Sequence, residues 1–264
     1  MSLRGARRAT KQSLKEQPMN KSKNAQLIVA LDLETFEEAR KLIDELADSV
    51  EIFKVGSQMF TAYGPFITRY LQSKGKKVFL DLKFHDIPNT VASAVKSAVS
   101  LSVSPNNDPD FIPLFMLTVH TSGGKEMLEA ASLAGKTQAK SLGVARPLIV
   151  GITVLTSTAK DAGTQELVLE RARLAKQAGL DGVVASVEEA ALIRRELGPD
   201  FLIVTPGIRP AEASLNDQKR VATPQVAIEQ GSNFLVVGRP IIKAPSPRAA
   251  VLKILEDIKT MSHS

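Results

Sequence analysis

No cysteine occurs among the 264 residues. This excludes disulfides, thiol nucleophiles and Cys-ligated zinc or iron–sulfur centres, and it fits a reducing cytoplasm. No apolar run approaches the ~18–20 residues that span a bilayer, and no signal-peptide core is present, so neither a membrane segment nor a secretory leader is expected. The first apolar run lacks a glycine-rich turn behind it, which removes the dinucleotide fingerprint. A basic folded surface is missing too, although the formal charge is +6. Arg4, Arg7, Arg8, Lys11, Lys15, Lys21 and Lys23 face Glu16 alone within residues 1–23. Taking those seven from 34 basic residues, and that one from 28 acidic, leaves 27 of each sign on the other 241 residues. The excess is therefore a tail.

Residues 1–24, rich in Ser, Gln, Lys and Arg, are expected to be a flexible basic extension of minor functional weight. A targeting peptide, an RNA-binding arm, or a leader with Met19 as the true first residue are the other readings of it. Residues 25–264 are expected to form one domain. With 44% apolar residues overall, a sizeable core is available to it.

From residue 27 onward, short apolar runs alternate with amphipathic patterns. Strands are predicted at 27–31, 52–55, 77–83, 115–120, 148–153, 182–185, 201–205 and 234–237. Their near-continuous apolar character reads as parallel strands covered on both faces. Thr35 and Glu38 form a capping box ahead of a helical stripe, and Thr223-Pro224 supplies a cap with proline at the first helical position. Helices are also expected at 165–177, 187–197 and 247–258. Eight such units predict an α/β fold, a (β/α)8 TIM-type barrel in a single domain, with a doubly wound open sheet as second choice. Residues 102–111, with two prolines and several turn formers, mark an inserted loop before the fourth strand.

In a barrel, chemistry collects where strands end. Strand 1 leads to Asp32, strand 2 carries Lys54, and strand 3 carries Asp81 and Lys83, which strict alternation puts on one face. Ile87-Pro88 ends that strand, leaving Asp86 on the loop just beyond. Three charges at the tip of a buried strand are costly unless paired or put to use. On a surface hairpin they would be a solvated pair worth under about 1 kcal/mol. Strand 5 leads to Thr153 and Thr156. Strands 7 and 8 end in Pro206-Gly207-Ile208-Arg209 and Gly238-Arg239-Pro240, glycine and arginine together suggesting a phosphate site. Residues 211–219 suit a lid over it. His85 is read as structural, His120 as packed or bonded to its loop, and His263 as part of the C-terminal tail.

The decapeptide Asp-Leu-Lys-Phe-His-Asp-Ile-Pro-Asn-Thr at 81–90, followed by Val-Thr-Pro-Gly-Ile-Arg-Pro and Val-Val-Gly-Arg-Pro-Ile, resembles the orotidine 5′-phosphate decarboxylases of bacterial, monofunctional type. The likeness covers roughly residues 25–260. It implies a cofactor-free, metal-free conversion of orotidine 5′-monophosphate to UMP and carbon dioxide by a cytoplasmic homodimer. Carried over by motif, Asp32 and Lys54 hold ribose hydroxyls, and Lys54 also joins the charged array. Asp81 and Lys83 face the carboxylate-bearing carbon, with Lys83 as proton donor. Asp86 and Thr90 belong to a segment shared between subunits. Thr156 touches the pyrimidine, while Arg209, Gln218, Gly238 and Arg239 form the phosphate end. The resemblance leaves two rivals. One is a magnesium-dependent keto-sugar-phosphate decarboxylase or hexulose-phosphate synthase of the same barrel group, which Lys54 disfavours because an ammonium repels a divalent ion. The other is a non-catalytic barrel that binds RNA through residues 1–23.

Overall fold

Period-two alternation sorts strand side chains into two sets, and the architecture follows from that sorting. The structure is a computed structural model that describes residues 25–106, 108, 110–155, 163–210 and 222–262. Its strands are β1 (Gln26–Ala30), β2 (Ile52–Gly56), β3 (Lys77–Phe84), β4 (Met116–His120), β5 (Leu148–Ile152), β6 (Gly182–Val184), β7 (Leu202–Thr205) and β8 (Phe234–Val237). They pair in sequence order, all parallel, and β8 returns to β1 to close the barrel. Every expected strand is present, with its ends within one residue of the expected ones.

One set of side chains, including Ile28, Ile52, Phe79, Met116, Val150, Val204 and Phe234, fills the barrel interior as its own cluster. The other set, including Val29, Phe53, Leu80, Leu117, Ile149, Ile203 and Leu235, packs outward against the helices in a larger cluster. Both faces of each strand are thus buried, which explains the unbroken apolar runs.

The helices are α1 (Phe36–Leu46), α2 (Ser57–Tyr63), α3 (Pro65–Ser73), α4 (Pro88–Ser100), α5 (Gly124–Leu142), α6 (Thr164–Gln177), α7 (Val187–Leu197), α8 (Pro224–Glu229), α9 (Arg239–Ile242) and α10 (Pro247–Ser262). The capping box at α1 is formed: the Thr35 hydroxyl accepts from the Glu38 amide at 3.2 Å, and the Glu38 carboxylate accepts from the Thr35 amide at 3.0 Å. Thr223 caps α8 through the Val226 amide. Strand β3 stops at Phe84, short of Ile87-Pro88, and Pro88 opens the first turn of α4, where its missing N–H costs nothing. The α2–α3 pair, broken at Gly64 with φ +54, and the four-residue α9 carried no periodic signal long enough to read from sequence.

The described part of the 102–111 loop holds neither helix nor strand. Its main chain is held by polar side chains instead: Ser104 Oγ accepts from the Asp108 amide at 2.8 Å, and Asp108 accepts from the Asp110 amide at 3.0 Å. At the same N-terminal end of the barrel, the buried Arg194 guanidinium donates to the carbonyls of Gly198, Pro199, Phe201 and Gly231 and to Asn233 Oδ1. It ties the starts of β7 and β8 together, a stabilising role typical of that face. Among the described residues, no helix is long and apolar enough to cross a membrane. The basic extension and His263 lie outside the described residues.

Candidate active site

The inward positions turn from apolar to charged at the C-terminal ends of the strands. Ala30 of β1 is followed two residues on by Asp32. Ala30 is paired in register with Lys54, Lys54 with Phe79, and Gly56 with Asp81. Lys54 Nζ donates to Asp32 Oδ1 at 3.1 Å and lies 3.6 Å from Asp81 Oδ2. Lys83 Nζ donates to the same Asp81 oxygen at 2.8 Å. The result is a row of alternating sign, Asp32–Lys54–Asp81–Lys83. The side chains of Lys54 and Asp81 are 12% and 11% exposed, whereas those of Asp32 and Lys83 are 53% and 38% exposed, so the row is covered in its middle and open to solvent at both ends. Gly56 leaves the Lys54 ammonium its space, since a Cβ there would stand 3.1 Å from Nζ. The two poorly hydrated charges, Lys54 and Asp81, persist because each has opposite neighbours.

Lys83 reaches the site by an irregular route. Between β3 and β4 the register passes from Leu80 opposite Leu117 to Phe84 opposite Val119. Residues 81–83 therefore stand against Thr118 alone, a bulge of the kind that re-aims a side chain. Within it Lys83 has φ +52, and among the described residues it is the one non-glycine with positive φ. That conformation costs on the order of 1–2 kcal/mol for an L-residue with a Cβ. Simple alternation thus gave the shared face of Asp81 and Lys83, and a bulge is how the chain attains it.

These groups line one side of a cavity of about 920 Å³, counting its open mouth. Ile152, Val154, Leu155, Val184, Val204 and Val236 supply apolar walls, and Pro206, Gly207, Gly238 and Arg239 complete the rim at β7 and β8. Gly207 has φ +79, a conformation that suits glycine. The connection from β7 to α8 is pinned at its base by a short parallel bridge, Ile208 with Ala222, in which the Arg209 amide donates to the Ala222 carbonyl at 2.9 Å. A ligand with a flat apolar middle and an anionic group fits such a chamber, whose lining joins alternating charges, apolar walls and an arginine beside glycines.

Six of the eleven residues expected from sequence share this cavity: Asp32, Lys54, Asp81, Lys83, Gly238 and Arg239. Arg209 is buried but is not part of the wall. Asp86, on the segment that joins β3 to α4, and Thr90, in the first turn of α4, are exposed and do not line the cavity of their own chain. The Asp86 carboxylate accepts from the Ile87 amide at 2.6 Å. Thr156, Gln218 and the expected lid at 211–219 fall outside the described residues. Thr153 turns away, its hydroxyl donating to the Val184 carbonyl at 2.8 Å. Sequence reasoning missed Thr118, which is fully buried and bonded to both Asp81 and Lys83. The available signal was a hydroxyl at an inward position of an apolar strand.

His85 and His120 stack beside the array, with ring centroids 5.1 Å apart and planes 22° from parallel. His120 Nδ1 lies 2.6 Å from Ser122 Oγ, so it is bonded to its loop. Burial, then His85, Arg171 and Lys83, push its pKa below the ordinary imidazole value. The unfolded chain therefore takes up this proton more readily than the folded one. Stability from this source is whole above the ordinary value, ~6.5, and declines as pH falls below it towards the lowered native value. The melting temperature is expected to fall between about pH 7 and pH 5.5, and to fall less in His120→Asn. Calorimetry across that range checks this, and identical pH dependence in both proteins would exclude His120 as the source.

Residues 25–254 match the model of the Orotidine 5'-phosphate decarboxylase / HUMPS family. The chain is 46% identical over 242 residues to the orotidine 5'-phosphate decarboxylase of Moorella thermoacetica, covering 88% of this chain and 92% of that one. It is also 46% identical to that of Carboxydothermus hydrogenoformans, covering 90% and 97%. The crystal structure of orotidine 5'-phosphate decarboxylase from Lactobacillus acidophilus superposes with a TM-score of 0.74 at 35% identity, over 89% of this chain and 99% of that one. Similarity spanning the whole barrel, including every strand that lines the charged cavity, makes the chain a member of the orotidine 5'-phosphate decarboxylase / HUMPS family.

Proposed function

We propose that this protein decarboxylates orotidine 5′-monophosphate to UMP and carbon dioxide in pyrimidine nucleotide biosynthesis, with Lys83 delivering the proton that replaces the carboxylate. The observation that carries this reading is the Asp32–Lys54–Asp81–Lys83 row at the mouth of the cavity. Loss of carbon dioxide leaves an electron pair on a ring carbon with no adjacent carbonyl to take it up. The surroundings must supply the stabilisation. Lys83, held in place by Asp81, sets a positive charge where that negative charge grows. Asp32 and Lys54 take the ribose hydroxyls. Gly238 and Arg239, with Arg209 and Gln218, take the phosphate, and Thr156 borders the pyrimidine. Phosphate binding far from the reacting carbon then aligns the substrate against the array.

The exposed position of Asp86 and Thr90, only a few residues past Lys83, supports a homodimer in which Asp86 of the partner subunit completes each array. A protein without cysteine fits a cytoplasmic setting. The barrel from residue 25 onward is the working unit, and a chain beginning at Met19 should turn over substrate as the full chain does.

The family joins two chemistries, and Lys54 separates them. Its ammonium lies 3.1 Å from Asp32 and 3.6 Å from Asp81, between the two carboxylates best placed to hold a divalent ion. Metal-free turnover follows. Loss of the ring's ultraviolet absorbance on adding orotidine 5′-monophosphate is expected to proceed at an unchanged rate in excess EDTA. Inactivation by the chelator, reversed by magnesium, would move the protein to the metal-dependent branch.

A further inference from the structure

We infer that Thr118 is a positioning residue of the reaction, fixing through one hydroxyl both the carboxylate of Asp81 and the main chain of Lys83. The inference rests on the reading that Asp81 and Lys83 face the reacting carbon. Thr118 does not line the cavity, so it acts through these two residues and not on the substrate.

The Lys83 amide donates to Thr118 Oγ1 at 2.8 Å, and the same oxygen lies 3.1 Å from Asp81 Oδ1. A main-chain amide only donates and a carboxylate accepts, so the polarity is settled: the hydroxyl proton goes to Asp81 and a lone pair receives Lys83. Each bond has a distinct consequence. Taking Oδ1 fixes the rotation of the carboxylate and leaves Oδ2 aimed at both Lys54 and Lys83. Receiving the Lys83 amide serves the point where pairing with β4 breaks off between Leu80 and Phe84. That amide belongs to the strained residue with φ +52, and strain of this kind persists only where neighbours over-determine it. Thr118 itself is 0% exposed, so no water replaces its hydroxyl without rearrangement.

Thr118→Val keeps the shape and removes the hydroxyl, leaving a buried carboxylate oxygen and a buried amide without this partner. In the intact protein, kcat for orotidine 5′-monophosphate is expected to fall about 10²-fold, while KM and the inhibition constant of UMP stay within about threefold. Thr118→Ser, which keeps the hydroxyl, should recover kcat to within about threefold of the parent. A purely structural threonine would change the melting temperature and leave kcat alone. Should Thr118→Val fail to fold, Thr118→Cys, of similar size and a weaker donor, is expected to lose at least about tenfold in kcat with UMP inhibition unmoved. Parental kcat in the folded valine variant, or in the cysteine variant that replaces it, overturns the inference, as does a serine variant no better than valine. Lys83→Ala measured alongside separates the two levels. An active Lys83→Ala removes the functional reading itself, whereas an inactive Lys83→Ala beside a fully active Thr118→Val removes only the role of Thr118.

Discussion

Replacing Lys83 with alanine is expected to end measurable release of carbon dioxide while the barrel remains folded. Two contributions vanish together. A unit charge about 4 Å from the growing carbanion, at an effective dielectric near 20, is worth about 4 kcal/mol, or roughly 10³-fold in rate if it acts only in the transition state. A positioned proton donor adds about 10²–10⁴-fold. Together these place the loss at about 10⁵-fold or more. The fold should tolerate the change, because the Lys83 side chain is 38% exposed and its removal opens no cavity in the apolar core. Alanine also keeps the Cβ that makes φ +52 costly, so a modest drop in melting temperature is expected and not unfolding. Circular dichroism with a turnover assay checks both halves. Near-parental turnover would remove Lys83 from the chemistry.

The second large effect is recovery of activity by mixing two inactive proteins. Within a single chain Asp86 sits outside the cavity that holds Lys83. If each site draws Asp86 from the partner subunit, Asp86→Ala and Lys83→Ala chains each make dead homodimers. Their hybrid, however, holds one site with both residues present and one with neither. Random exchange puts half the dimers in that hybrid, so about a quarter of all sites should be intact. Activity approaching about a quarter of the parental value, appearing as subunits exchange, is the expected result. Silence after exchange has been demonstrated by mass spectrometry of tagged chains would place Asp86 outside a shared site.

How far the sequence alone reached depended on the range of the interactions involved. Strands buried on both faces announce themselves as apolar runs, so β1 to β8 were legible, and the caps at Thr35 and Thr223 are local patterns that need no tertiary context. Asp32, Lys54, Asp81 and Lys83 were legible as a group because a closed parallel barrel brings strand ends together whatever the loops do. The bulge between Leu80 and Phe84 was not. It arises from pairing with β4, some 35 residues away along the chain, and nothing in Asp-Leu-Lys-Phe marks a positive φ at lysine. Thr118 stayed hidden for the same reason: its importance lies in two partners on another strand. Residues 57–73 form two short helices, of seven and nine residues, for which the sequence offered no reading. The partner for Asp86 depends on a second chain, and no local pattern encodes that.

The central claim is that a lysine ammonium anchored by an aspartate faces the reacting carbon while a remote arginine holds the phosphate. A crystal structure of the protein with UMP bound measures this most directly. Lys83 Nζ should lie within hydrogen-bonding range of the ring carbon that carried the carboxylate, Asp86 of the partner subunit should touch that amine, and Arg239 should hold the phosphate at the β7–β8 rim. A nucleotide seated with its phosphate against Lys83, or an amine turned to bulk solvent with UMP in place, would contradict the account.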